Sequence, residues 1–159
     1  MLQTANIAKE LEGVQTDVLL QAFADRIVVL VTQLGKVGSL IQATIPSTMP
    51  LLPPPPPDPE HPNVFPLPVP PPSLQLTPLL GSAPSDRVQT LHSLYASQIA
   101  TLVWTMEEAS VLEADRRAVV VGIALAKSSG PSDSSELNPH DRAVFYGVME
   151  IVRELLMRN

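Results

Sequence analysis

Apolar residues in the first third of the chain recur with a period of two. Positions 17–23 set Val18, Leu20 and Ala22 on one side of an extended segment and Leu19, Gln21 and Phe23 on the other. Positions 26–34 are richer in Val and Ile, whose branched side chains fit a pleated surface. Ala24-Asp25 lies between these runs at hairpin distance, and Asp suits a tight turn. Gly35-Lys36-Val37-Gly38 supplies the next turn, residues 39–45 the next strand, and residues 5–11 an opening strand. Three short links in succession predict an antiparallel meander, because parallel strands need long crossovers.

The period changes further along. Val88, Leu91, Tyr95, Ile99, Leu102, Val103 and Met106 recur at helical spacing, behind a cap at Ser85 or Asp86. Residues 118–126 return to alternation, with Val119, Val121, Ile123 and Leu125 against Ala118, Val120, Gly122, Ala124 and Ala126. A second helix opens with Asn138 as cap, Pro139 in the first position and Asp141 in the first turn. Its apolar face is Val144, Phe145, Val148, Met149, Val152, Leu155 and Leu156. The predicted class is α+β: a six-stranded antiparallel sheet, two helices on one face, and the other face paired with a partner sheet in a dimer.

Proline interrupts this pattern in one place. Sixteen of the 18 prolines lie between Pro46 and Pro84, five of them consecutive at 53–57. Proline lacks the backbone N–H and fixes φ, so neither helix nor sheet forms in such a run. Extended polyproline II and weak order are expected over about 49–72. Residues 73–80 then form an edge strand, since Pro78 bars a central one. The reading is one domain, 1–47 and 74–159, split by a disordered insertion at 48–73.

Two strands are apolar on both faces. In 26–34, Ile27, Val29 and Val31 share one side and Val28, Leu30 and Leu34 the other. A sheet covered by helices on one side is ordinarily wet on the other and alternates cleanly. The second face therefore needs a cover. A sheet from another subunit, packed at ~10 Å, fits that need; the competing cover is the chain's own long loop or N-terminus. Ile27, Val29 and Val31, all β-branched, suit the helix side. Val28, Leu30 and Thr32 include a hydroxyl, which an interface tolerates, and are assigned to the partner side.

Charge and motifs remove several function classes. The formal net charge is −6 and only Arg116-Arg117 are adjacent basic residues, so no clustered basic surface for nucleic acid exists. There are no cysteines, which excludes disulfides and thiolate zinc ligands. No basic-then-apolar leader pattern and no apolar run of membrane length occurs, so a soluble, cytoplasmic protein is expected, with the nucleus a second compartment. His61, His92 and His140 have no metal-ligand spacing, and His92 and His140 are expected at the surface. Glu107-Glu108 are adjacent and read as a solvated pair. Gly35-Lys36-Val37-Gly38-Ser39 lacks the phosphate-loop order and reads as a hairpin turn. No catalytic residue, cofactor or metal is assigned. The proline tract alone carries binding chemistry: Leu51-Leu52 and the five prolines after them could dock in an SH3- or WW-type groove, making the chain an adaptor.

Two stretches carry a resemblance. Thr16-Asp17-Val18, Ala22-Phe23 and the run from Ile27 through Thr32-Gln33-Leu34-Gly35-Lys36-Val37-Gly38 to Leu40 resemble the N-terminal strands of the proteasome assembly chaperone 3 family. The run from Arg117 to Leu125, leading to a terminal helix, resembles that family too. The resemblance implies a β-sandwich-like dimer, usually with proteasome assembly chaperone 4, and otherwise with itself. It also implies binding to an α subunit of the 20S proteasome, chiefly α5, during α-ring assembly, and release before the mature particle forms. The proline insertion and the longer loop at 128–137 depart from short family members.

Overall fold

The computed structural model describes residues 3–46, 51, 55–60, 66–81, 85–110, 117–126 and 138–158. Among these the chain runs β1 (Gln3–Leu11), β2 (Val14–Ala22), β3 (Arg26–Thr32), β4 (Ser39–Thr44), β5 (Gln75–Leu80), α1 (Asp86–Ser110), β6 (Ala118–Ala124) and α2 (Pro139–Arg158). The six strands form one sheet in the order β1-β2-β3-β6-β4-β5. Both helices lie on one face: α1 over β6, β4 and β5, and α2 over β1 and β2.

The α+β class and the single helical layer agree with the expected architecture. The meander does not extend to its fourth strand. β6 inserts between β3 and β4, parallel to β3 and antiparallel to β4. The sheet is therefore mostly antiparallel, with one parallel pair. The physical reason is burial. All six residues from Val119 to Ala124 are buried, and a strand that apolar belongs in the middle of a sheet. Gly35-Lys36-Val37-Gly38 is accordingly no hairpin turn between paired neighbours; it carries the chain past the end of β6.

That passage explains the residues around it. The Thr32 hydroxyl accepts hydrogen bonds from the backbone N–H groups of Leu34 and Lys36, each 3.2 Å. Gln33 ties three strands: its N–H donates to the Ala124 carbonyl, its side-chain amide donates to Thr16 Oγ1 at 3.0 Å, and its Oε1 accepts from Ala126 N–H at 3.0 Å. Gly38 sits at φ +69°, and a Cβ there would overlap the Ile123 carbonyl oxygen and Ala124. Backbone cannot yield as a side-chain tip can. Gly38→Ala is expected to cost about 1–3 kcal/mol in conformational strain, with steric overlap adding to it. A urea midpoint unchanged from the parent protein would contradict this.

Register sets the core. Ile7, Val18, Val31 and Ile123 stand side by side across β1, β2, β3 and β6. Ala5, Leu20, Val29, Val121 and Ile41 form the adjacent row, which continues onto β4. These meet Tyr95, Ile99, Leu102, Val103 and Trp104 from α1 and Val144, Val148, Ile151, Val152 and Leu155 from α2. α1 is buried over a wider arc than its predicted stripe. Trp104 is enclosed, and its indole N–H donates to the Arg117 carbonyl at 2.8 Å, so its one polar atom is satisfied. The α2 start is as expected: Asp141 N–H donates to Asn138 Oδ1 at 2.7 Å.

The second half of the proline segment has a place in this core. Pro68 and Pro71 are buried, and Leu67 and Leu74 pack against the core cluster. The buried Gln98 of α1 donates to the Pro68 carbonyl at 2.8 Å. Proline carbonyls remain full acceptors, and an extended segment can lie along a helix without joining the sheet. Residues 55–60 are exposed. The five-proline run lies partly, and residues 61–65 wholly, outside the described residues.

Candidate functional site: the second face of the sheet

The residues opposite the helices form a continuous surface. Strand register places Leu19, Leu30, Gly122, Leu40 and Leu80 in one row across five strands. The neighbouring row is Gln21, Val28, Val120, Gln42 and Thr77, and a shorter third row is Asp17, Thr32 and Ala124. No helix or strand among the described residues packs over these rows.

Val28, Leu30 and Thr32 thus share the face away from the helices, each half-buried, while Ile27, Val29 and Val31 are enclosed beneath α1 and α2. Geometry places Val28, Leu30 and Thr32 on the side of β3 away from the helices, as the alternation predicts. The Thr32 hydroxyl adds nothing to that, because its oxygen is occupied by the backbone of the following connection.

Gly122 is the low point of this face. A Cβ there would lie 2.5 Å from Leu30 Cδ2 and 3.1 Å from Leu40 Cδ2. The two leucines therefore lean inward from β3 and β4 and meet over the glycine. The Val37 carbonyl oxygen lies 3.4 Å from the same Cβ position, so two leucine side chains and one backbone carbonyl cover the glycine. Gly122 thus accommodates side chains of its own sheet on the face opposite the helices. Leu79 and Leu80 extend the apolar surface onto β5, at 47% and 62% exposure. Asp17, Gln21, Gln42 and Thr77 interrupt it toward the margins. An apolar centre with polar margins is the composition of a protein–protein contact.

Charged groups are used elsewhere, for structure. Glu107 pairs with Arg117, which also donates to the Phe23 carbonyl at 2.7 Å. Glu107 is therefore partly buried and paired, not a solvated carboxylate, and the pair fastens the end of α1 to the start of β6. Lys9 of β1 meets Glu154 of α2 at 2.8 Å, and Arg158 meets the same carboxylate at 2.7 Å. The hydrogen bond from Lys9 holds the Glu154 carboxyl below its ordinary range. Asp25 is likewise lowered by its hydrogen bond from Arg26. Among the described residues, no group of three His, Asp or Glu side chains could hold a metal ion, and no helix is long and apolar enough to cross a membrane.

His140 is exposed, as expected. His92 is not: it is 8% exposed on the inner side of α1. Burial disfavours its charged form and lowers its pKa below 6.5. Its contribution to stability is complete above 6.5, the unfolded value, and is lost as pH falls through the lower folded value. The parent protein should therefore lose more stability between about pH 7 and about pH 5 than His92→Gln does. Equal losses in paired urea melts would refute this.

No protein-family model matches the sequence, and no curated protein matches it. Among solved structures there is a match along the whole length. The fold is similar to that of a chain in a chaperone complex for yeast 20S proteasome assembly. That likeness, from the crystal structure of the complex, has a TM-score of 0.50 and covers 97% of this chain and 98% of the other. The two sequences are 13% identical, so the likeness is one of fold.

Proposed function

We propose that this chain is a non-enzymatic subunit of a proteasome assembly chaperone. It dimerises through the second face of its sheet and binds an α subunit of the 20S proteasome, α5 by preference, during α-ring assembly. The observation that carries this reading is the aliphatic face centred on Leu30, Gly122 and Leu40. It lies on a fold like that of an assembly chaperone chain from end to end. Val28, Leu30 and Thr32 of β3 are the partner-binding residues in this reading, and Leu19, Leu40 and Leu80 continue their surface. The partner sheet belongs to proteasome assembly chaperone 4 or to a second copy. The resemblance in Thr32-Gln33-Leu34-Gly35-Lys36-Val37-Gly38 supports the same assignment. The protein would act in the cytoplasm and nucleus without a cofactor.

Affinity purification of the full chain, with identification of the proteins that accompany it, tests the proposal. Proteasome α subunits and a second chaperone chain are expected. Recovery of polyproline-reading proteins without any α subunit would favour the adaptor reading. A chain lacking residues 52–65 sharpens the comparison, because it spares the buried Pro68 and Pro71 and the Gln98 bond. An assembly chaperone keeps its partners after that deletion, whereas an adaptor loses them.

A further inference from the structure

A cleft of about 1140 Å³ opens at the end of the domain where both helices begin. It lies on the helix side of the sheet, away from the face described above. Its walls come from the N-terminal parts of α1 and α2, the end of β6, the start of β4, Gly81 after β5, and the 33–38 connection. Leu91, Ile123, Leu125 and Val144 make most of the lining apolar.

Two polar side chains of α1 sit deep in it. His92 is 8% and Tyr95 1% exposed, and neither hydrogen-bonds to another group among the described residues. Ser73 Oγ is the one fully enclosed side-chain polar atom without a partner there. The polar atoms of His92 and Tyr95 are therefore not sealed in packed protein; they open to the cleft. Burying polar groups without partners costs free energy, and a ligand that supplies the partners recovers it.

The charges around the cleft decide what kind of ligand. Arg87 and Asp141 neutralise each other at 2.9 Å. Lys36 and Asp86, both exposed, balance at the rim. The helix starts make no demand for an anion: Ser85 Oγ accepts from Val88 N–H, and Asn138 Oδ1 from Asp141 N–H. Burial favours neutral forms of both deep groups. A neutral imidazole offers one donor and one acceptor, and a phenol offers both. The complementary group is an amide, which has a carbonyl to accept and an N–H to donate. The apolar walls suit an aliphatic side chain beside it. The volume exceeds one such residue and accommodates a short stretch of chain.

We propose that this cleft binds a peptide segment of a partner protein, taking an aliphatic side chain against Leu91, Ile123 and Val144 and hydrogen-bonding its backbone amide through His92 and Tyr95. The site is independent of the sheet face and of the chaperone reading. The test is an NMR titration of the isotope-labelled full chain with N-acetyl-leucinamide, then with N-acetyl-Ala-Leu-Ala-amide. Saturable shifts of the His92 and Tyr95 ring signals are expected, with tighter binding of the longer probe. His92→Phe should weaken binding roughly fivefold by removing one net hydrogen bond. Val88→Trp, at the partly exposed mouth, should block both probes while the circular dichroism spectrum stays that of the parent. Absence of saturable shifts up to the solubility limit would overturn the proposal. Undiminished binding by both variants would do the same. Binding of the short probe with exclusion of the longer one would make the cleft a small-molecule site and overturn the peptide assignment.

Discussion

Val29→Asp abolishes folding of the chain. Val29 is fully buried beneath the helices, between Leu20 on β2 and Val121 on β6. The substitution removes a buried branched side chain, worth about 1.5–3 kcal/mol. It also places a carboxylate where no cation reaches, at an effective penalty of several kcal/mol even after relaxation. Single domains are stable by about 5–15 kcal/mol, so the sum approaches or exceeds the whole. The far-ultraviolet circular dichroism of the purified variant should be that of an unfolded or aggregated chain at neutral pH. Val29→Ala separates the two contributions: it loses the packing and should remain folded with a lower melting temperature. A cooperative native-like melt from Val29→Asp would mean that the helix side of β3 has been misplaced.

That test bears on the part of the molecule most legible in sequence. The period-two runs locate β2, β3 and β4, and the cap at Asn138 with Pro139 locates the start of α2 to the residue. The uniformly β-branched set on β3 identifies its core face. These are local signals, because one element's own side chains record which of its sides is dry. Strand order is a different kind of fact. β6 lies between β3 and β4 although 73 residues (45–117) separate it from β4 and 85 (33–117) from β3, and no short-range pattern records a pairing at that distance. Its apolarity on both faces did record that it is central.

The site shows the same division. That the second face is apolar follows from alternation in β3 and β6, so Val28 and Leu30 are readable from composition alone. That Leu30 and Leu40 meet over Gly122 is not, since it depends on the β6 insertion. The burial of His92 is hidden in the sequence for a related reason. Its helical position lies at the edge of the α1 stripe, and only the arrival of α2 and the strand ends beside it encloses it. Glu107 looked solvated beside Glu108 because its partner, Arg117, comes from beyond the helix. Pro68 and Pro71 looked like linker because a proline-rich composition records the absence of donors and is silent about acceptors and apolar surface.

Leu30→Asp, one residue from Val29, should leave the domain folded and abolish its pairing. Leu30 is only partly buried in the isolated chain, so an aspartate there reaches water, stays ionised and costs the fold little. In the proposed dimer the same position lies at the centre of an aliphatic face, flanked by Leu19 and Gly122 and covered by the partner sheet. A carboxylate there is stripped of water without a cation in reach, and the leucine that covers Gly122 is lost as well. A buried unpaired charge costs about 3–5 kcal/mol, which corresponds to a loss of affinity of more than about 100-fold. Leu94→Asp serves as control: Leu94 is 44% exposed on α1, on the opposite side of the molecule, and its substitution should leave pairing unchanged. Sizing of the isolated variants tests self-association, and co-purification with a second chaperone chain tests the mixed dimer. Leu30→Asp that melts like the parent and elutes as a monomer, beside a paired Leu94→Asp, is the expected pattern. Leu30→Asp that retains its partner would place the interface elsewhere and remove the physical basis for the chaperone reading.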